Sequence, residues 1–295
     1  MEKRTLGKTG MDVTVLGFGG AEIGYQSVSL PVVSRLLNSA LDAGLNVIDT
    51  AECYPNGEEL IGQAVSARRS EYHLFTKCGH DKDGDHWNPG KMAEQIDRGL
   101  SRLKTDHADL LQLHSCTGEQ LRQGDVIEVV KRARDAGKTR FIGYSGDSRA
   151  ALDAVESGVF DTLQISVNIA DQESIGLAVP AAHARGMGVI AKRPIANAVW
   201  KHASKPDPYY QTYWERLAAL QYDFLGADFQ KAVSIALRFT LTVPGVHTAI
   251  VGTTQPDRWR QNAELLKDGP LDSHQFDAIR ERWNSVAGPD WLGQT

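Results

Sequence analysis

The sequence predicts an α/β fold, a closed (β/α)8 barrel of the TIM type with an N-terminal hairpin and long loops on the face where the strands end. Three observations predict it. Short β-branched runs alternate with amphipathic helical stretches along most of the chain, which implies parallel strands joined by helical crossovers. Eight such strand–helix units can be counted. The 295 residues also sit a little above the ~250 typical of a closed barrel, which suits that fold better than an open doubly wound sheet. The whole chain, 1–295, reads as one domain.

The elements follow in order. Arg4 to Val13 carries Gly7 and Gly10 between apolar residues, a hairpin with glycine at the turn. Val13 to Phe18 is a strand closed by Gly19-Gly20. In the next helix Pro31 stands in the first turn, Val32, Val33, Leu36, Leu37, Ala40 and Leu41 recur at helical spacing, and Gly44 follows at the cap. A strand at Val47-Ile48 precedes a helix from about Glu58 to Ala67. Tyr72 to Lys77 is a strand, Lys91 to Leu103 a helix, and Asp109 to His114 a strand. Then come a helix at Val126 to Ala136, a strand at Arg140 to Ser145 and a helix at Ala150 to Glu156. The series continues with a strand at Thr162 to Asn168, a helix at Glu173 to Ala184 and a strand at Val189 to Lys192. Pro194 to Ala227 breaks the rhythm, being rich in aromatics without a clear strand. A helix from Phe229, a strand at His247 to Val251 and helices at Pro256 to Leu266 and Phe276 to Val286 complete the chain. The irregular stretches His80 to Pro89 and Pro194 to Ala227 both follow strands, so both belong to the barrel face that carries function.

Composition narrows the function classes. Hydrophobic residues make up 41%, enough for a large core, and no apolar run is long enough to span a bilayer. The formal charge of -5 is mild and holds no basic block, which argues against nucleic acid. Met1 to Thr9 is charged and polar rather than an apolar leader, so cytoplasm is the expected compartment. Three cysteines without a C-x-x-C pair and nine scattered histidines without H-E-x-x-H point to neither a disulfide framework nor a metal site.

The chemistry-bearing residues stand at strand ends. Asn46 to Tyr54, N-V-I-D-T-A-E-C-Y, runs from a buried strand into a loop through Asp49 and on to Tyr54; the next strand ends at Lys77 and the one after at His114. In a barrel these four surround one mouth. A tyrosine has a pKa of about 10, too high for an efficient proton donor at neutral pH. A nearby ammonium is expected to lower it, with a carboxylate keeping that ammonium charged and aimed. A histidine beside the hydroxyl can orient a carbonyl or relay a proton. Singly, each has a plainer reading: a loop aromatic, a structural ion pair, a satisfied histidine. Together at consecutive strand ends they are better explained by catalysis.

D-T-A-x-x-Y at Asp49 to Tyr54, F-T-K at Phe75 to Lys77 and L-Q-L-H at Leu111 to His114 resemble the aldo-keto reductases. The opening T-L-G-K-T-G-M-D-V-T-V-L-G-F-G-G, Q-I-S-V-N from Gln164, and Ile250 to Asn262 are similar too, so the resemblance spans nearly the whole chain in order. It implies an enzyme reducing aldehydes or ketones with a nicotinamide cofactor, Tyr54 as proton donor, Lys77 and Asp49 tuning it and His114 orienting substrate. It also accounts for the lack of a G-x-G-x-x-G, because the family holds the dinucleotide extended across the barrel mouth.

By position, the resemblance implies that Ser145 and Gln164 bind the carboxamide of the nicotinamide, with the loop at Gly20 near the cofactor ribose and nicotinamide. Thr253 and Thr254 lie at the amino end of a helix, where N–H groups favour anions. Arg258 can fork onto a 2′-phosphate, and Gln261 and Asn262 suit the adenine edge. Ser145 is followed by Gly146 where the family often has Asn. Lys192-Arg193-Pro194 stands where an aromatic commonly stacks, so these cations either cover the ring face or grip the pyrophosphate. A basic residue often found near Thr254 is absent, leaving Arg258 as the main reason to prefer NADP (NADPH) over NAD. Trp87 and Trp200 are expected in the substrate walls, with Tyr209, Tyr210, Tyr213 and Trp214 nearby. The expected partner is a small carbonyl compound or sugar, with monomer and homo-oligomer both compatible. The same residues serve oxidation of a sugar or secondary alcohol. A catalytically weak cofactor-binding regulatory subunit would keep the fold, but the intact set of four argues against it.

Overall fold

The computed structural model describes residues 1–80, 83–226 and 228–294. Asp81 and Lys82, inside the first expected loop, Ala227 at the end of the second, and Thr295 at the end of the expected domain lie outside the described residues.

Two short strands, β1 (Lys3–Thr5) and β2 (Asp12–Thr14), form an antiparallel hairpin around a turn of 3-10 helix at Gly7–Thr9. Eight parallel strands then close a barrel: β3 (Leu16–Gly19), β4 (Val47–Asp49), β5 (His73–Cys78), β6 (Ala108–His114), β7 (Thr139–Ser145), β8 (Thr162–Ser166), β9 (Gly188–Lys192) and β10 (Thr248–Gly252). β10 pairs with both β9 and β3, which closes the ring. The helices on the outside are α1 (Ala21–Tyr25), α2 (Leu30–Asp42), α3 (Gly57–Val65), α4 (Pro89–Leu103), α5 (Gly118–Gln123), α6 (Asp125–Asp135) and α7 (Ser148–Ser157). They continue as α8 (Glu173–Gly176), α9 (Ala178–Ala184), α10 (Pro208–Leu220), α11 (Phe229–Thr242), α12 (Arg258–Leu265) and α13 (Ser273–Val286). Among the described residues no helix is long and apolar enough to cross a membrane.

Amphipathicity places the outer layer. In α2, Val33, Leu36, Leu37, Ala40 and Leu41 are buried at the spacing of one helical face. Each larger side chain there contributes about 1.5–3 kcal/mol by leaving water. Asn88 begins α4 by accepting the Gly90 and Lys91 N–H groups, and Pro89 suits the first turn because its missing N–H would have had no partner.

Strand periodicity places the mouth. Successive residues alternate faces, and Val47, Phe75, Leu110, Ile190 and Ile250 turn inward, where the hairpin's Leu6, Met11 and Val13 plug the floor. Their neighbours Ile48, Leu74, Leu111, Val189 and Val251 pack outward against the helices. Two residues beyond the inward set, Asp49, Lys77, Gln112, Lys192 and Gly252 return to the inward face above the apolar layer.

Three expected boundaries change for identifiable reasons. Val13 to Phe18 is two strands, because the chain changes partner at Val15, whose N–H bonds Glu2 while its carbonyl accepts from Ala249. The helix expected at Glu173 to Ala184 breaks at Leu177 (φ -117, ψ -83). Pro180 lacks the N–H that would bond Gly176 and so cannot continue a helix begun there. The second irregular stretch contains α10, which buries Tyr213, Arg216, Leu217 and Leu220.

α3 meets the end of α4 at Gly62, where an added Cβ would lie 2.1 Å from the Arg102 carbonyl oxygen and 2.8 Å from Leu103 Cα. Gly→Ala inside a helix ordinarily stabilises by ~0.5–1 kcal/mol, but here backbone must move. Gly62→Ala is expected to destabilise by roughly 2 kcal/mol, read as a lower urea midpoint; a raised midpoint would show that the two helices separate freely.

Candidate active site

Side chains from three strands converge on Asp49, the last residue of β4. From β5, Lys77 donates to Asp49 Oδ2 at 2.5 Å and to the Thr50 carbonyl at 2.8 Å. From β8, Gln164 Nε2 donates to Asp49 Oδ1 at 2.8 Å, and from β6 Gln112 reaches the same oxygen at 3.3 Å. Asp49 and Lys77 are each only 1% exposed. Ser145, ending β7, donates its hydroxyl to Gln164 Oε1 at 3.1 Å. Both ends of the Gln164 amide are therefore engaged within the network.

Tyr54 lies beyond β4 in a turn held by its N–H bond to the Ala51 carbonyl. Lys77 Nζ stands 5.4 Å from its ring centroid, and the His114 ring meets it edge-on at 5.8 Å. Burial first, and then the negative charge of Asp49, holds the Tyr54 phenol well above its ordinary pKa. The sequence led us to expect the lysine to lower it. The difference arises because the Lys77 ammonium is already engaged by Asp49 and Thr50, so its field is largely cancelled at the phenol. The hydroxyl accordingly stays protonated at neutral pH.

His114, at the end of β6, moves the other way. Burial, then the charge of Lys77 and of the other basic neighbours His80, Lys192 and Arg193, hold it well below the usual imidazole range, so it is neutral. Its Nδ1 lies 3.4 Å from Cys53 Sγ, and the His80 ring packs edge-on at 4.9 Å.

A cavity of about 610 Å³ opens over this centre. Asp49, Tyr54, His114, Ser145 and Gln164 line one part, and Thr253, Thr254, Arg258 and Asn262 another. Gly20, Lys192 and Arg193 also line it. Lys77 lies behind the lining, buried. Gln261 is exposed and outside it.

The two tryptophans expected in the substrate wall also lie outside the lining. Trp87, at φ 65, packs its ring against Gly79 and 5.4 Å from His80, while Trp200 packs 6.1 Å from Phe229 in the outer cluster. Loop residues point where the local backbone sends them, and no periodicity fixed these two. The aromatic lining comes instead from Tyr54, Tyr209, Tyr210 and Phe229.

Sequence reading missed two carboxylates. Asp147, two residues past the end of β7 and 4% exposed, pairs with Lys192 at 2.7 Å and accepts the Ser166 N–H at 2.8 Å. Glu22, in α1, lines the cavity against Gly252, and burial pushes its carboxyl up. A carboxylate soon after a strand's end was the available signal in each case.

A cavity over a buried Asp–Lys pair, lined by a protonated phenol and a neutral imidazole, defines an oxidoreductase-like site on a (β/α)8 barrel. Comparison with known proteins agrees. Residues 15–284 match the model of the Aldo/keto reductase family, and the chain belongs to that family. It is 28% identical to L-galactose dehydrogenase of Arabidopsis thaliana over 91% of this chain and 89% of that one. It is 26% identical to the uncharacterized oxidoreductase YqkF of Bacillus subtilis, covering 95% and 96%. The solved structure of aldo-keto reductase AKR11C1 from Bacillus halodurans, in its holo form, superposes with a TM-score of 0.83 at 24% identity over 99% of each chain, a likeness of fold. Members of the family use NAD(P)H.

The lowered His114 pKa has a signed consequence for stability. An unfolded histidine takes its proton near pH 6.5, above the folded value, so the unfolded chain binds protons first on acidification. Stability is then full above about pH 6.5 and falls below it, by at most ~1.4 kcal/mol per pH unit for one group. His80 and His247 are lowered too and add to the slope. Urea unfolding between pH 7 and 5 is expected to show this decline, and a shallower one in His114→Gln; equal slopes would mean that His114 protonates freely in the folded protein.

Proposed function

We propose that the protein reduces an aldehyde or ketone to an alcohol with NAD(P)H, the described chain acting as one catalytic domain. The observation that carries this reading is the protonated Tyr54 phenol between neutral His114 and the Lys77–Asp49 pair. When bound, the nicotinamide supplies the hydride for the carbonyl carbon. Tyr54 gives its proton to the carbonyl oxygen as negative charge develops there. Neutral His114 directs an N–H at that oxygen, while Lys77 stabilises the phenolate left behind.

The cavity lining supports a cofactor laid across the mouth. Ser145 and Gln164 would meet the nicotinamide end and Thr253, Thr254, Arg258 and Asn262 the adenosine end, with Gly20 letting the chain pass close. Arg258 favours NADPH over NADH, because among the described residues no carboxylate pairs with it. The same geometry serves the reverse reaction by microscopic reversibility. The name of the Arabidopsis relative, L-galactose dehydrogenase, favours a hydroxyl-rich substrate run oxidatively as the second reading.

Assays in both directions, over aldehydes, ketones and aldoses with NADPH and over sugars with NADP and NAD, separate these readings; no turnover in either would leave a cofactor-binding protein. Tyr54→Phe is expected to lower kcat at least ~100-fold with cofactor affinity retained, and near-normal turnover would remove Tyr54 as the donor. Arg258→Ala is expected to weaken NADPH roughly tenfold or more relative to NADH. Parallel losses would mean that the arginine does not read the 2′-phosphate.

A further inference from the structure

Arg193 carries a constraint that the reaction itself does not explain. It follows β9, lines the cavity, and holds a left-handed backbone at φ 53, a conformation costing of order 1 kcal/mol or more outside glycine. Its guanidinium is tied through Nε and Nη1. Nε reaches the Tyr209 hydroxyl at 3.4 Å, the group lies 5.7 Å from that ring's centroid, and Nη1 donates to Ser166 Oγ at 3.1 Å and to the carbonyl of Gln294. No described residue bonds its Nη2 amine.

The segment reaching Arg193, Trp291 to Gln294, has no regular structure, yet the Leu292 and Gln294 carbonyls and the Gly293 and Gln294 N–H groups each meet a charged side chain. Arg216 donates to the Leu292 carbonyl at 2.7 Å and lies 5.3 Å from the Trp291 ring centroid. The Gly293 N–H reaches Glu173 at 2.6 Å and Ser148 at 3.0 Å, and the Gln294 N–H reaches Asp171 at 3.0 Å. Carboxylates take the N–H groups and guanidiniums the carbonyls, a pattern that fixes the segment in one register. Such charge-assisted bonds are roughly twice as strong as neutral ones. Gly293 lies flat on Asp147, the partner of Lys192: a Cβ there would stand 2.8 Å from Asp147 Cβ.

We infer that Trp291 to Gln294 is a strap that positions Arg193, so that its remaining amine grips the diphosphate of the bound dinucleotide. This rests on the cofactor reading above and deepens it. It also chooses between the two roles open to this cation: a guanidinium stacked on Tyr209 and held along one edge is anchored as a phosphate fork rather than laid on the nicotinamide face. The strap residues touch no ligand; they act through Arg193.

Gly293→Val displaces the strap by steric contact with Asp147, and Glu173→Gln loosens it more gently by removing one charged acceptor. Both lie outside the cavity lining. Loss of a charge-assisted grip predicts that Gly293→Val raises Kd for NADPH and for NADH alike by about tenfold or more, measured by fluorescence, with a smaller rise in Glu173→Gln. Equal losses for the two cofactors distinguish a diphosphate contact from a 2′-phosphate contact. Because the strap works through Arg193, Gly293→Val should cost little further affinity in an Arg193→Met background.

A full, additive loss in that background would overturn the inference, as would unchanged affinity in both strap variants. If Gly293→Val does not fold, Glu173→Gln alone and with Arg193→Met gives the same comparison. A wild-type protein that binds neither dinucleotide would overturn the cofactor reading and the strap with it, whereas wild-type binding with unaffected strap variants overturns the strap alone.

Discussion

The structure turns on the ion pair between Asp49 and Lys77. Burying two charges costs several kcal/mol per ion even after relaxation, and only good geometry with further hydrogen bonds offsets it. Here the ammonium has two acceptors, Asp49 and the Thr50 carbonyl, and the other Asp49 oxygen receives amides from Gln164 and Gln112. The groups come from β4, β5, β6 and β8, which only closure of the barrel brings within reach of one another. Closure and the polar layer are thus mutually dependent: the ring assembles the pair's partners, and a ring of another register would leave the charges buried and unmatched.

The pair also sets the acid–base state of its neighbours. Since Asp49 largely cancels the Lys77 charge, the phenol of Tyr54 responds mainly to burial and remains protonated. That is the form a donor needs before the chemical step. Lys77 nevertheless stays beside the ring, so on the proposed reading it would favour the phenolate as it forms. An interaction stronger after proton transfer than before it lowers the barrier, whereas one that had already ionised the phenol would remove the donor. The partial neutrality of the pair is therefore compatible with catalysis in a way that a free lysine would not be.

Much of this was legible in the sequence, because barrel periodicity turns position into direction. Val47, Phe75 and Leu110 face inward, so Asp49 and Lys77 two residues later, and His114 four residues after Leu110, do so as well. Most residues expected to hold a cofactor line the cavity, whereas Gln261 is exposed on its helix. What escaped depends on contacts remote in sequence. Asp147 gains its meaning only from Lys192, and Trp291 to Gln294 theirs from Arg193, Arg216 and three acids on other elements. α10 was hidden differently. Its buried face, Tyr213, Arg216, Leu217 and Leu220, has helical spacing, but a charged residue holds one core position and tyrosines stand on several sides.

The cations of the mouth differ in how far they are neutralised, and this orders the cleft. Lys77 is engaged by Asp49, Lys192 by Asp147, Arg193 along one edge by neutral oxygens, and Arg258 by no carboxylate among the described residues. These positive charges are therefore offset to different degrees around one cavity. Cations left unmatched beside Tyr54 would promote ionisation of its phenol. On the proposed reading Arg258 would draw an anion to the wall that Thr253 and Thr254 also line, while Asp49 and Asp147 temper the lysines that face His114. A carbonyl bound beside Tyr54 and His114 would, on that reading, meet a protonated acid and a neutral imidazole, both able to polarise it through hydrogen bonds.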